Sequence, residues 1–328
     1  MDRHIIIAIL LVALCATSCA QSNGTAPQAG AQNAPTVYFT KEISPESLLR
    51  IYQALGVEAH GRVAVKISTG EGGNENYLRP PLIRQLVEAV DGTLVECCTA
   101  YGGSRATIES HRRTIHEHGF DSIFTVDLMD EEDTLHIPVR DTAHIPYDIV
   151  GSHLRNYDFL VNLAHFKGHP MGGYGGVLKN ASIGCASPNG KGLIHSGGIT
   201  EKLPDAWRYT RDQDAFLESM AAAAQAVHDF FGEGNVVYIN VMNNMSVDCD
   251  CVAHPEPVFL KDMGILASID PVALDKACID LVFGHESTSG DDAAPLIERI
   301  SSRHGTHILT HAAQIGLGSL EYQLVEIE

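Results

Sequence analysis

Short apolar, β-branched runs alternate along the chain with longer stretches in which apolar residues recur every three to four positions. The runs predict strands at 37–39, 62–68, 93–98, 122–128, 158–164, 235–242, 264–269 and 321–327. The longer stretches predict helices at 45–55, 80–91, 105–119, 213–232, 271–283 and 292–303. Several of these carry start signals: Ser44 before Pro45, the Pro80-Pro81 pair, and Asp270 before Pro271. Strand–helix alternation of this kind predicts an α/β fold, a largely parallel sheet flanked by helices, in two lobes joined near 140–157. In open sheets of that class, ligands bind beyond the carboxyl ends of the strands. Three polar loops follow predicted strands: TGEGGNENYLRP after 62–68, TAYGGSR after 93–98, and HFKGHPMGGYGGVLKNASIGCASPNGKGLIHSG, from His165 to Gly197, after 158–164. Parallel strands bring all three to one edge, and the site is expected there.

Composition narrows the partners. The chain has 328 residues, 45% of them hydrophobic, and a formal net charge of −19. That is material for one large α/β domain or two smaller ones. The acidic field repels phosphate backbones, so nucleic acid is not an expected partner. The start of the chain stands apart. An apolar run from Ile5 to Leu14, too short to span a bilayer, follows Arg3 and precedes Ala16-Thr17-Ser18-Cys19. Residues 1–19 resemble a bacterial lipoprotein signal peptide with Cys19 as the lipidated first mature residue, although Ala16 stands where Leu is usual. Residues 20–35 read as a flexible Gly/Ala/Pro/Gln tether and 36–328 as the α/β domain. The expectation is an exported protein of the bacterial envelope that meets the membrane through its lipid anchor only. Outside the cytoplasm thiols oxidise, and Cys97, Cys98, Cys185, Cys249, Cys251 and Cys278 are then open to pairing in a connectivity that spacing does not fix.

The segment from His165 to Gly197 gathers His165, His169 and His195 with Lys167, Lys179 and Lys191 among many glycines. Gly175 and Gly176 allow the backbone close to a ligand. Two phosphate-binding motifs fail on inspection. Leu178 occupies the third glycine position of a dinucleotide fingerprint, and CASPNGKG places Cys185 and Gly192 where a P-loop needs Gly and Ser/Thr. Neutral imidazole can ligate a metal or move a proton near neutral pH. A lysine among other cations in a dry pocket has a lowered pKa and can serve as nucleophile or covalent attachment point. The segment therefore reads as a ligand site rather than as solvated loop. Val247–Cys251, VDCDC, is a second cluster. Its cysteines, with Asp248, Asp250 and His254, suit zinc or iron, a disulfide to Cys185 or Cys97, or a turn in which the Asp residues cap backbone N–H groups. Asp270 reads as a helix cap, Asp275 and Asp280 as solvated or structural, and Cys97-Cys98 as core. His111, His116 and His118 read as the polar face of the 105–119 helix.

Three segments, VAVKISTGEGGNENYLRP, HFKGHPMGGYGGVLKNASIGCASPNGKGLIHS and VDCDC with the later GILASIDPVALDKACIDLV, resemble the domain-of-unknown-function family 362 over most of residues 60–284. Members of that family are often called iron–sulfur centre proteins, because many carry a ferredoxin insert after the position of His195. This chain has no Cys from Gly197 to Met242 and no ferredoxin-type cluster motif. A fainter resemblance is to the nickel-pincer lactate racemase family, in which a His, a Lys and a second His follow the order and spacing of His169, Lys179 and His195. That resemblance implies a cofactor anchored on Lys179, a metal ligated by His195, acid/base work by His169, and a substrate carboxylate held by Arg79, beside Pro80. The family's second acid/base His falls at Ser104, followed by a matching Arg105, and this departure weakens the case for two-base racemisation.

The function these residues point to is an enzyme acting on a small carboxylate-bearing substrate by racemase- or epimerase-like proton abstraction. His169, Lys179 and His195 form the expected reactive centre. Arg79, Ser104, Arg105, Lys167, Gly175, Gly176 and Asn180 are the expected substrate contacts. The expected metal ligands are His195, Cys249 and Cys251, with nickel, zinc or iron as the metal, or else a covalent adduct on Lys179. Two other readings stay open: a non-catalytic metal or redox protein using Cys185, Cys249 and Cys251, and a solute-binding lipoprotein.

Overall fold

The computed structural model describes residues 34–328. The expected signal peptide, with Cys19, and the expected tether up to residue 33 lie outside them. In chain order the first elements are β1 (Thr36–Thr40), α1 (Pro45–Ala54), β2 (Val63–Lys66), α2 (Pro80–Ala89), β3 (Gly92–Glu96), α3 (Ile108–Glu117) and β4 (Val126–Leu128). A hairpin follows, β5 (Thr134–Pro138) and β6 (Tyr147–Gly151), which leads into β7 (Phe159–His165). Next come a second short hairpin, β8 (Lys167–His169) and β9 (Gly173–Gly175), then α4 (Val177–Cys185), α5 (Pro188–His195) and α6 (Gln213–Phe231). The chain closes with β10 (Val236–Met242), β11 (Gly264–Ser268), α7 (Pro271–Phe283), α8 (Ala294–Ser302), α9 (His307–Gln314) and β12 (Gln323–Glu326).

All eight segments expected to be strands enter one eight-stranded sheet of order β12-β1-β11-β10-β7-β2-β3-β4. Seven of them run the same way and β11 is reversed, antiparallel to both β10 and β1. Side chains alternate across the sheet. Val65, Val161, Leu163, Ile239 and Val241 join Leu48, Ile51, Ile83 and Leu86 of α1 and α2 on one face. Ala64, Leu160, Ala164 and Tyr238 join Leu178, Leu217, Val227 and Leu274 of α4, α6 and α7 on the other. Strands covered on both faces read as continuous apolar runs, which is why they were legible.

The stretch from His165 to Gly197 is not the single Gly-rich loop the sequence suggested. It forms the β8–β9 hairpin and the helices α4 and α5. Its periodicity was masked for a physical reason. Apolar side chains of α4 are buried nearly all round, and Gly184, Gly190 and Gly192 lower helix propensity in α4 and α5. Tertiary contacts make the helix instead. The buried carboxylate of Asp275 on α7 accepts the N–H groups of Val177 (2.9 Å) and Leu178 (3.1 Å) at the first turn of α4. It also accepts from Asn240 Nδ2 (2.7 Å) and the Tyr174 hydroxyl (3.4 Å). Asp275 is thus structural, one of the two roles expected for it. A Cβ on Gly176 would come 2.3 Å from Asp275 Oδ1, so only glycine fits before this helix.

Asp270 caps α7 as expected, accepting from Val272 and Ala273 N–H. His111 departs from expectation: it is fully buried, its Nε2 3.1 Å from Glu96 Oε2, rather than on a polar face. Helix α3 packs that side inward because Glu96, at the end of β3, needs partners.

A second buried carboxyl generates a prediction. Asp148 in β6 has 0% exposure, and among the described residues its Oδ2 has no hydrogen-bond partner. Burial pushes its pKa from 3.8 up to about 7. A folded value above the unfolded one means the native state binds the proton more tightly, so stability is lost as pH rises from 3.8 through 7. The isosteric neutral variant Asp148→Asn escapes that loss. Thermal melting across pH should find the variant near wild type in acid and increasingly more stable above the unfolded value, with the gap levelling off once pH exceeds about 7.

Candidate functional site

Crossovers leave β2 and β7 in opposite directions. From β2 the chain runs outward through α2 to β3, and from β7 it runs the other way through α4–α6 to β10. Neighbouring strands whose connections diverge leave a crevice at their carboxyl ends, the ligand-binding position of this sheet class. A cavity of about 60 Å³ lies there, lined by residues from the ends of β2, β3 and β7, from β9 and α4, and from the Cys249–Cys251 turn. At roughly 10–15 Å³ per water, it holds about four waters or a ligand of similar size.

Its lining is cationic. Lys66, Arg105, Lys167, Lys179 and Lys191 face two carboxylates, Glu96 and Asp250. Arg105 pairs with Glu96 (2.6 Å) and Glu71 (3.4 Å). Burial pushes Glu96 upward, but Arg105 and then His111 outweigh it and hold the carboxyl well below the usual range. Lys167 pairs with Asp250 Oδ2 (2.7 Å), while Asp250 Oδ1 meets His165 Nδ1 (2.8 Å). The other ring nitrogen of His165 faces the carbonyl of Asn243. Both ring nitrogens thus have an oxygen partner, which fixes the ring between Asp250 and Asn243. Against the cost of burial, His165 and Lys167 keep Asp250 ionised.

Lys66 donates to the carbonyl of Ile67 and to Asn180 Oδ1, and Lys191 to the carbonyl of Ala186. Lys179 differs from the other four. Among the described residues its ammonium has no hydrogen-bond or ion-pair partner. Burial, then the charge of Lys167, lowers its pKa from 10.5 to about 7. Asn180, the next residue, donates to the Lys66 carbonyl (2.9 Å) and Asn162 Oδ1 (2.7 Å), which latches α4 across β2 and β7.

His169 and His195 lie behind the wall rather than on it. His169 Nδ1 accepts the Gly172 N–H at 2.7 Å, so the neutral ring carries its proton on Nε2. Burial, then Lys179 and His195, hold its pKa well below 6.5. His195 has the opposite tautomer: Nδ1–H donates to the Lys191 carbonyl (2.7 Å), leaving the lone pair on Nε2. Burial lowers its pKa to about 4. Its ring stacks on Phe216 at 4.7 Å and meets the edge of Trp207 at 5.1 Å.

Of the expected substrate contacts, Arg105, Lys167, Gly175, Gly176 and Asn180 line the cavity. Arg79 and Ser104 do not. Arg79, at the entrance of α2, pairs with Glu75 and donates to the Tyr77 hydroxyl at 2.8 Å, both outside the cavity wall. Ser104 Oγ accepts the Gly72 N–H (2.8 Å), which ties two loops together. The expected metal set also changes. Cys249 and Cys251 are joined by a disulfide to each other, not to Cys185 or Cys97. The imidazole grouped with them is that of His169, not His195. A ferredoxin-type cluster needs four cysteine thiolates, and two mutually bonded cysteines do not fit that donor set. Sequence reasoning missed Lys66 and Glu96 as site residues, and read Asp250 only as a neighbour of the cysteines. The available signal was a charge at the end of an otherwise apolar strand, as in VAVK and TLVE.

The lysine's environment is testable without a substrate. Amine acylation of the full chain, read by peptide mapping, should label Lys179 with a rate that rises through pH of about 7, whereas solvated lysines follow their ordinary value of about 10.4.

A family model described as Domain of unknown function (DUF362) matches residues 63–280. No curated protein matches the chain. Among solved structures, the lactate racemase apoprotein from Thermoanaerobacterium thermosaccharolyticum is similar at 15% identity and a TM-score of 0.35. The likeness covers 64% of this chain and 51% of that one. A protein from Thermotoga maritima is similar at 13% identity and a TM-score of 0.41, over 72% and 57% of the two chains. This chain thus spans somewhat over half the length of the solved structures it matches, 51% and 57%. At such scores neither likeness bears on the chemistry. The family match is of another order, since it runs from β2 to α7 and takes in the cavity wall from Lys66 to Cys251: the chain belongs to the family described as Domain of unknown function (DUF362).

Proposed function

We propose that the protein is an enzyme that moves a proton on a small carboxylate-bearing substrate, with Lys179 as the group that takes the proton. The observation that carries this reading is Lys179 itself: a cavity amine with no partner among the described residues and a pKa lowered to about 7. A base works best when its pKa lies near the operating pH. The surplus of cations over carboxylates supplies the clamp for an anion, in a chain whose overall charge of −19 would otherwise repel one. Lys66 and Lys191, which have no direct carboxylate partner among the described residues, are the assigned clamp. His169 and His195 support the exchange from behind, His169 as the Nε2–H donor and His195 through its Nε2 lone pair.

One observation favours a second reading of the same lysine. His195 donates Nδ1–H to a carbonyl and keeps Nε2 bare, the arrangement typical of a metal-ligating imidazole. A covalent metal cofactor on Lys179 with its metal at His195 therefore fits these residues, and such a group would supply an electron sink. Intact mass of the Lys179 peptide from the native host separates the two: added mass favours the anchored group, a bare lysine the free base.

The test of the main reading is solvent exchange. Small 2-hydroxy and 2-amino acids incubated with the full chain in D₂O should acquire deuterium at the carbon next to the carboxylate. Lys179→Ala should lower that rate by about 100-fold or more while thermal melting stays close to wild type. Unchanged exchange in Lys179→Ala would remove the lysine from the chemistry. The exported, lipid-anchored location belongs to the same proposal and is supported by residues 1–19. On fractionation of the host, Cys19→Ser should move the protein from the membrane pellet to the soluble fraction.

A further inference from the structure

The cavity wall carries a chemistry that proton transfer does not use. Cys249 and Cys251 both line the cavity, with Cα atoms 5.2 Å apart and their sulfurs bonded to each other. One ligand atom each from His169, Cys249 and Cys251 lie within 4.8 Å of one another. The turn that presents the cysteines is held firmly. Between them, Asp250 is paired with Lys167 and His165, and its backbone carbonyl accepts the Glu71 N–H at 2.7 Å. Cys97, Cys98, Cys185 and Cys278 are free, buried and outside the group.

We propose that Cys249, Cys251 and His169 form a redox-gated site for a thiophilic divalent cation, closed by the disulfide and opened by its reduction. A dithiol supplies two electrons and two protons, the S–S bond breaks, two thiols form, and the dithiol leaves as its own disulfide. Cation binding then releases both thiol protons as two metal–sulfur bonds form. The third bond takes the lone pair of neutral His169. Through either ring nitrogen the Gly172 N–H contact is given up: Nδ1 binds the cation in its place, or Nε2 binds after its proton moves to Nδ1. Lys167, Lys179 and Arg299 all act on His169 electrostatically. They repel a bare cation but favour the thiolates that must form first, and two thiolates with one divalent cation make a neutral unit. Two sulfurs and one nitrogen leave a fourth tetrahedral position, as in open zinc sites. Metal binding also withdraws His169 from proton transfer, so the thiol state selects which chemistry the cavity can carry. The cation site itself does not depend on the role of Lys179; its effect on proton transfer rests on the function proposed above.

The probe is Zn²⁺ alone, measured by equilibrium dialysis of the full chain before and after treatment with a phosphine reductant. Reduced wild type should take up one more equivalent than oxidised wild type. Cys249 and Cys251 should resist alkylation until reduced. The extra equivalent should bind about tenfold more weakly, or not at all, in Cys251→Ser and His169→Ala. It should persist in Cys278→Ser. His169→Gln, with a side chain that can still accept the Gly172 amide, guards against a variant that fails to fold. Near-UV circular dichroism checks each protein, and Co²⁺ in place of Zn²⁺ should give sulfur-to-metal charge-transfer absorption only with both cysteines present. Equal uptake by oxidised and reduced protein would overturn the gate, and full uptake by a folded His169 variant would overturn the ligand set.

Discussion

Asp275 gathers two backbone N–H groups of α4, the amide of Asn240 and the hydroxyl of Tyr174 around one fully buried carboxylate. Helix starts leave N–H groups without partners, and inside a core each costs free energy if left unpaired. Here a side chain 98 residues further along the chain supplies the acceptor. Negative charge at a helix N-terminus is also favourable, which offsets part of the burial that pushes this carboxyl up to about 6. The position of α4 fixes that of Lys179 and Asn180 in its first turn. The place of the Lys179 amine on the cavity wall therefore depends on a carboxylate that is not part of that wall.

Burying charge is expensive, and the cavity is arranged around that cost. Glu96 is held by Arg105 and His111, and Asp250 by Lys167 and His165. Each carboxylate pairs with one cation of the lining, Glu96 with Arg105 and Asp250 with Lys167, so three lysines of the wall remain. Lys66 and Lys191 settle on carbonyl oxygens, and among the described residues Lys179 is left without a partner. The lysine that gains nothing from a neighbour is the one whose neutral form is reached near pH 7. Its lowered pKa follows from how the other charges were satisfied.

His169 links the two chemistries proposed for the cavity. Its neutral ring, with the proton on Nε2 and the lone pair held by Gly172, suits donation while the neighbouring cysteines are oxidised. Asp250 serves both sides as well, as it steadies the cysteine turn and neutralises Lys167 beside Lys179. In the proposed scheme, oxidation state and proton transfer are joined through shared residues rather than through a distant conformational change.

Strands such as VAVK and VVYINVM announce themselves, because an apolar run covered on both faces is a local property of the chain. So do α1, α2 and α7, whose starts are marked by Ser44-Pro45, Pro80-Pro81 and Asp270-Pro271. Parallel order placed the site at the strand ends, and Lys167, Lys179 and Asn180 were legible as part of it. Helices α4 and α5 were not, since burial all round erases the period that would reveal them. The loop residue Arg79 looked like a clamp until its local partners, Glu75 and Tyr77, were seen to take it. Pairing of Cys249 with Cys251 instead of Cys185, and the grouping of His169 rather than His195 with them, depend on how a turn after β10 folds back on the β8–β9 hairpin. By itself, then, the sequence determined the sheet, most of its covering helices and the edge where chemistry gathers, because these follow from local periodicity and strand direction. Only the tertiary structure decided which charges are paired and which lysine is left over, because that balance is struck among side chains far apart in the chain and close together in a dry space.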